Sequence, residues 1–194
     1  MKPFIVGITG ASGSPYAWRL LEKLNEQAFE VFVVATKPGL EVFEYEMGFS
    51  LEAGLSRLNK GRFHQEDATS FFSPIASGSR RFAGMIVCPC SMGTVGRIAA
   101  GTSDNLLIRA ADVCMKERFP LILLTRETPL HTIHLENMVR LSKAGATIMP
   151  ISPSFYHHPT AIEELLDQMM GRIFDHLNLP HDFHTRWEED HADS

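Results

Sequence analysis

Cysteine is scarce in this chain, because only three of its 194 residues are cysteines: Cys88, Cys90 and Cys114. A small, odd number of cysteines argues against a disulfide framework and favours a reducing compartment. Long apolar runs are also lacking, and no stretch approaches the roughly 20 residues that a membrane-spanning helix needs. The apolar run at residues 4–9 is short and glycines follow it at once, so it predicts a buried strand and not a signal peptide. We therefore expect a cytoplasmic protein without a membrane span.

Positive charge is in deficit, since 18 basic residues stand against 23 acidic ones and the net charge is −5 at pH 7. Binding along nucleic acid needs a positive field and is not expected. The chain has no G-x-S-x-G motif, so a hydrolase of that type is unsupported. Its histidines and cysteines are not spaced as a set of metal ligands, and we expect no metal site.

Strand and helix signals alternate along the chain. Buried strands are predicted at residues 4–9, 30–35, 85–88, 121–125 and 146–149, and helices after residue 14 and at 105–117, 131–143 and 161–177. Residues 50–83 are less regular and contain turn signals. The alternation predicts a single α/β domain over residues 1–179, with a mostly parallel sheet covered on both faces. Residues 180–194 form a mainly polar tail.

The loops beyond the carboxyl ends of the strands are the candidate sites, because open α/β sheets bind ligands there. After the first strand, the small residues 10–14 let the backbone approach a ligand, and the helix start offers N–H groups to an anion. Ser14 before Pro15 predicts the N-cap of that helix. The glycines are not spaced as G-x-G-x-x-G, and Thr36 stands where a dinucleotide fold needs an acidic residue. NAD is therefore disfavoured, and a mononucleotide such as FMN fits better.

The loops after later strands carry further polar groups. Residues 90–94 place two hydroxyls before a helix, which makes either a second cradle for phosphate or flavin or a simple capping turn. Arg126 beside Glu127 follows the next strand, where the pair binds an anion or forms a surface ion pair. Residues 150–159 form a proline-framed loop with one tyrosine and two histidines.

Several segments together resemble the UbiX/Pad-type flavin prenyltransferases. These are GITGASG (7–13), CPCSMGT (88–94), NLLIRAADV (105–113), RETP (126–129), IHLENM (133–138), GA (145–146) and FYH (155–157), in matching order over nearly the whole chain. The resemblance implies a Rossmann-like or flavodoxin-like subunit that assembles into homo-oligomers, commonly dodecamers. It implies metal-independent transfer of a dimethylallyl group from dimethylallyl phosphate or pyrophosphate to reduced FMN. The product, prenylated FMN, is the cofactor of UbiD-type decarboxylases.

The resemblance also implies roles for individual residues. FMN would be bound by Gly10, Ala11, Ser12, Thr36, Ser91, Met92, Gly93, Thr94 and Arg126. Lys116, Tyr156 and Arg172 would hold the phosphate of the donor, and two cations with a phenol suit a leaving phosphate. The catalytic set would be Glu46 and Ser12, Glu127 as a second acidic group, and Trp187 in the tail, which would close over the prenyl group. Glu46, Ser12 and the released phosphate are the candidates for moving protons during ring closure.

Three other functions remain open from the sequence. An FMN-dependent cysteine decarboxylase shares the fold, but its P-A-S-A-N-T-type segment reads PCSMGT here and lacks the asparagine. A decarboxylase acting directly on hydroxybenzoate-type acids is the second. The third is a flavin-storage or delivery protein, which would have no need for Lys116, Tyr156 and Arg172 together.

Overall fold

A computed structural model describes residues 1–183 of the chain. The strands are β1 (Phe4–Ile8), β2 (Glu30–Ala35), β3 (Arg62–Glu66), β4 (Gly84–Cys90), β5 (Leu121–Thr125) and β6 (Thr147–Pro150). The helices are α1 (Ser14–Glu26), α2 (Lys37–Met47), α3 (Leu51–Leu55), α4 (Met92–Ala100), α5 (Leu106–Glu117), α6 (Thr132–Lys143) and α7 (Ile162–His176). A short 3-10 turn covers Pro74–Ala76.

The six strands form one sheet in the order β3-β2-β1-β4-β5-β6, and every neighbouring pair is parallel. All residues of β1, β4 and β5 are buried, which explains their continuous apolar runs. The strand order reverses between β1 and β4, and this arrangement leaves a crevice for ligands at the carboxyl ends of those two strands. The predicted single α/β domain with a parallel sheet is confirmed.

The edge strand β3 is absent from the sequence-based prediction. Its residues, Arg62–Glu66, are mostly polar and none is buried, so they carry no apolar alternation. The strand is recognised only through its partner β2, with which it pairs in parallel from Glu30↔Arg62 onward. Side chains reinforce this pairing, because Glu30 forms an ion pair with Arg62 and a 3.1 Å hydrogen bond with His64 Nε2.

The chain groups into two compact units, Met1–Pro150 and a second that begins at Ile151. The first holds the sheet and the large apolar cluster that α4 and α5 form with β4 and β5. In the second, Ser154 donates its backbone N–H to Gln168 Oε1 of α7 over 2.9 Å. The chain after α7 packs against that helix, with the rings of Phe174 and Phe183 4.8 Å apart.

No helix within residues 1–183 is long and apolar enough to cross a membrane. The same residues contain no group of three or more His, Cys, Asp or Glu side chains that could hold a metal ion. The division into a domain over residues 1–179 and a tail that closes over the site stays a prediction.

Candidate active site

The carboxyl ends of the four central strands bring most of the predicted flavin-binding residues to one edge of the sheet. Residues 10–12 follow β1, Thr36 follows β2, residues 91–94 follow β4 and Arg126 follows β5. Because these strands are neighbours in the order β2-β1-β4-β5, residues far apart in sequence lie side by side. Backbone hydrogen bonds join the strand ends, from Thr36 N–H to the Ile8 carbonyl (3.0 Å) and from Arg126 N–H to the Cys90 carbonyl (3.3 Å).

The glycine loop after β1 lies tightly against the start of α2. A Cβ on Gly10 would come within 2.6 Å of Pro38 Cβ, so a larger residue there would push the two segments apart. Gly13 has a φ of 123°, a left-handed conformation that glycine adopts without strain. Thr36 caps α2 by accepting the Gly39 N–H at 3.1 Å. Gly10 is therefore required for the close packing of α2 on this loop, and Gly13 for the backbone turn into α1.

Glu46, near the end of α2, occupies the N-terminus of α1. Its Oε2 accepts the Ser14 N–H at 2.7 Å and the Gly13 N–H at 3.0 Å. Two predictions are corrected by this contact. The N-cap position is Gly13 and not Ser14, and the N–H groups at the start of α1 are not available to a ligand anion because a carboxylate already accepts them.

The charge state of Glu46 follows from its surroundings. Partial burial acts to raise the pKa of this carboxyl, but hydrogen bonds from the Ser12 and Ser14 hydroxyls and from the Ser14 and Gly13 backbone outweigh it. The net effect holds the pKa of Glu46 below its ordinary value, so the side chain is an anion at neutral pH. The structure thus brings together Ser12 and Glu46, two of the predicted catalytic residues.

The loop after β4 forms a compact hydroxyl pair at the start of α4. Ser91 caps α4 by accepting the Thr94 N–H at 3.3 Å, and the two side-chain oxygens lie 3.1 Å apart. Met92 is buried in the apolar cluster, so only its backbone faces the loop, whereas Gly93 is exposed. Thr94 is as buried as Met92, so this loop offers a ligand mainly the Ser91 hydroxyl and its backbone groups.

Arg126 supplies the positive charge beside that loop. Its Nε is buried and has no hydrogen-bond acceptor among the described residues. A buried donor without an acceptor is costly unless a ligand or water satisfies it. An anionic or carbonyl-bearing ligand such as FMN fits this need.

Other predicted residues are not part of this cluster. Glu127 is exposed and its carboxylate accepts the N–H of Thr128 at 3.1 Å. Lys116 lies in the last turn of α5, which starts at the carboxyl edge of the sheet and runs 12 residues, or about 18 Å, toward the opposite edge. There it pairs with Glu117.

The remaining predicted residues lie beyond the first unit. Tyr156 and Arg172 belong to the second unit, where Arg172 is 62% exposed and lies 3.8 Å from Asp175. Trp187 falls outside the described residues. Sequence reasoning missed Ser14 as a Glu46 partner, since nothing local marks a bond between residues 32 positions apart.

The fold and these loops define a flavin-type α/β site, and a sequence model of the flavoprotein family matches residues 1–176. The chain belongs to the flavoprotein family. Within it, the chain groups with the UbiX-type flavin prenyltransferases, as its sequence motifs predicted. The flavin prenyltransferase UbiX of Alkalihalophilus pseudofirmus is 44% identical over 194 residues, covering 97% of each chain.

Two solved structures are similar over nearly the full length. AnUbiX (PadA1), solved in complex with FMN and dimethylallyl pyrophosphate, has a TM-score of 0.91 and 36% identity, covering 96% of this chain and 97% of its own. A dodecameric FMN-dependent UbiX-like decarboxylase from Escherichia coli O157:H7 has a TM-score of 0.89 and 39% identity. The match covers 95% of this chain and 98% of the decarboxylase chain. By contrast, the FMN-dependent cysteine decarboxylase TvaF is 16% identical with a TM-score of 0.59, which shows a shared fold alone.

Proposed function

We propose that this protein is a flavin prenyltransferase that joins a dimethylallyl group from dimethylallyl phosphate to N5 and C6 of reduced FMN. The observation that carries the proposal is the buried, unsatisfied Arg126 Nε beside the Ser91–Thr94 hydroxyl pair, in a chain that is 44% identical to a flavin prenyltransferase. Reduced FMN supplies the nucleophilic ring atoms. The alternative of a cysteine decarboxylase is not favoured, since the likeness to such an enzyme is confined to the fold.

In this proposal, one group of residues binds the two substrates and another moves protons. Gly10, Ala11, Thr36 and the loop from Ser91 to Thr94 would hold the flavin. Arg126 would donate to it through its buried Nε. Ser12 and Glu46 lie in hydrogen-bond contact, and the ionised Glu46 carboxylate would take up the proton that leaves the flavin ring during ring closure. Trp187 and Glu127 complete the site in this proposal.

The donor phosphate would be bound by Lys116, Tyr156 and Arg172, which supply two positive charges and a phenol donor. Lys116 lies at the edge of the sheet opposite the glycine loop of its own chain. It therefore reaches a flavin site only from another copy of the protein. A flavin-storage protein would have no use for this set, so the set favours catalysis over binding alone.

The first prediction is selective binding of FMN. We expect the purified protein to bind FMN tightly and neither FAD nor NAD, because the glycine loop lacks the dinucleotide spacing and Thr36 replaces the acidic partner of the ribose. Fluorescence titration with each compound measures this selectivity. FAD binding that excess FMN does not displace would contradict it.

The activity itself is tested by incubating the protein with reduced FMN and dimethylallyl phosphate under anaerobic conditions. The extracted flavin should gain the mass of one dimethylallyl group and the absorbance of a ring-closed product, while free phosphate is released. Cysteine peptides offered with FMN should lose no carbon dioxide. FMN that stays unmodified with both the monophosphate and the pyrophosphate donor would reject the proposed transfer.

We also propose that the protein is a homo-oligomer, most simply a dodecamer like its relative from Escherichia coli O157:H7. The surface that supports this is α6, of whose twelve residues only Leu141 is buried in the single chain. Ile133, Leu135 and Val139 on this helix are 63%, 47% and 53% exposed. A helix that leaves three large aliphatic side chains in water is typical of an interface.

The second prediction follows from this surface. Leu135→Asp or Val139→Asp should shift the protein to a smaller assembly, because either change puts a carboxylate into an apolar contact between copies. Neither should unfold the monomer, since both side chains are about half exposed there. Light scattering after size exclusion measures the mass, and Asn59→Asp at an exposed loop position is the charge-matched control. An unchanged mass in both α6 variants would place the interface elsewhere.

The cellular context completes the proposal. A UbiD-type decarboxylase is the recipient of the prenylated FMN. The cytoplasm is the proposed location, which agrees with three buried thiols, Cys88, Cys90 and Cys114, none of them in a disulfide.

A further inference from the structure

Thr9 lies directly after β1, at the point where the backbone pairing between β1 and β4 ends. The last paired residues of these strands are Gly7 and Val87. Two positions beyond Val87 stands Pro89, which has no N–H to continue the ladder. The ends of the two strands carry the glycine loop and the Ser91 loop, so something other than the backbone ladder must hold these loops together.

The hydroxyl of Thr9 makes this connection. It donates to the Pro89 carbonyl over 2.8 Å and accepts the Ser91 N–H over 2.9 Å. The Thr9 carbonyl accepts the N–H of Ala11 at 2.9 Å. One residue therefore binds both loops, through its side chain on one side and its backbone on the other. It is 1% exposed, so water does not compete for these bonds.

We propose that Thr9 is a positioning residue that sets the Ser91 loop at the correct distance from the glycine loop for flavin binding. The inference rests on the proposed function, because it assigns both loops to FMN. Thr9 itself is covered by protein and acts through Ser91, whose hydroxyl pairs with Thr94 at the start of α4. Its β-branched side chain has few rotamers, which favours a fixed hydroxyl direction.

Replacing Thr9 with valine tests the connection, because valine keeps the shape and removes the hydroxyl. The Pro89 carbonyl and the Ser91 N–H would both lose their partner in a buried place, which is more costly than losing an exposed hydrogen bond. We expect the Ser91 loop to move away from the glycine loop. FMN affinity should fall by about 10- to 100-fold. Thr9→Ser keeps the hydroxyl and should remain within about 3-fold of wild type.

A matched control separates positioning from general stability. Ile5→Val removes one carbon from the buried interior of the same strand and lowers the melting temperature without touching either loop. FMN affinity should be unchanged in Ile5→Val and reduced in Thr9→Val. The circular dichroism of the bound flavin should change only in Thr9→Val. Hydrogen exchange of the Ser91 amide in the flavin-free protein should accelerate only in that variant, since its acceptor is gone.

The outcomes are distinguishable. Wild-type FMN affinity in Thr9→Val, or equal losses in Thr9→Ser and Thr9→Val, would overturn the proposal. A Ser91 amide that exchanges at the same rate in wild type and Thr9→Val would also overturn it. If the wild-type protein binds FMN but transfers no prenyl group, the proposed activity fails while loss of FMN affinity in Thr9→Val still supports the positioning role.

Discussion

Replacing Glu46 with glutamine should slow the formation of ring-closed product by about 10²–10⁴-fold, the usual contribution of a general acid or base. The carboxylate accepts hydrogen bonds from Ser12 and from the start of α1, which hold it ionised and able to take a proton. Because its pKa is held low, Glu46 is a weak base, and we expect an effect at the smaller end of this range. Glutamine retains one carbonyl oxygen that can accept the Ser14 N–H, so the loop should keep its shape.

Single-turnover assays separate this role from simple helix capping. Phosphate release reports departure of the donor and should remain near the wild-type rate in Glu46→Gln, whereas final product should appear slowly. FMN affinity should be retained. Glu44→Gln, an exposed neighbour on α2, is the matched control and should behave as wild type. If Glu46→Gln makes final product at the wild-type rate, Glu46 only caps α1 and the released phosphate is the better candidate for the base.

The capping contact has its own pH signature. A carboxyl whose folded-state pKa is depressed adds stability above its unfolded value, and that stability is lost as the pH falls through the folded-state pKa. The difference in melting temperature between wild type and Glu46→Gln should thus be constant from about pH 6 to 8. It should shrink below the ordinary carboxyl value of 4.5.

Arg172→Ala should reduce kcat/KM for dimethylallyl phosphate by roughly 10- to 150-fold, the loss expected when one charge-assisted hydrogen bond of about 1.5–3 kcal/mol is removed. FMN affinity should not change, because Arg172 belongs to α7 and none of the flavin loops lies in that unit. The side chain is 62% exposed and its 3.8 Å contact with Asp175 is long, so removing it costs the fold little.

Two variants sharpen this experiment. Arg172→Lys keeps the positive charge but loses the bidentate hydrogen bonding of the guanidinium. It should be more active than Arg172→Ala and less active than wild type. Lys60→Ala removes one positive charge from an exposed turn and should leave the donor KM unchanged. Equal turnover of wild type and Arg172→Ala at donor concentrations well below KM would show that Arg172 does not bind the phosphate.

The sequence by itself determined the layered α/β fold and the place of the loops that we assign to flavin binding. Periodicity is a local property: the apolar runs of β1, β2, β4 and β5 and the helical spacing of α5 and α7 are encoded within each segment. The ends of parallel strands must lie at one edge, so the loops at residues 10–14 and 91–94 were predictable as neighbours before any coordinates. The full set of motifs, in order, predicted the UbiX-type family.

Only the tertiary structure decided how the side chains in those loops are used. The carboxylate of Glu46 reaches the start of α1 because α2 packs against the glycine loop, and that packing depends on contacts between residues 28 to 33 positions apart. Edge strand β3 has no apolar pattern of its own and exists through its pairing with β2. In the sequence, Thr9 resembles any other strand residue. The structure shows that its hydroxyl joins β1 to the end of β4, where Pro89 interrupts the backbone hydrogen bonds. Long-range partners of this kind leave no local periodicity, so they cannot be predicted from the sequence.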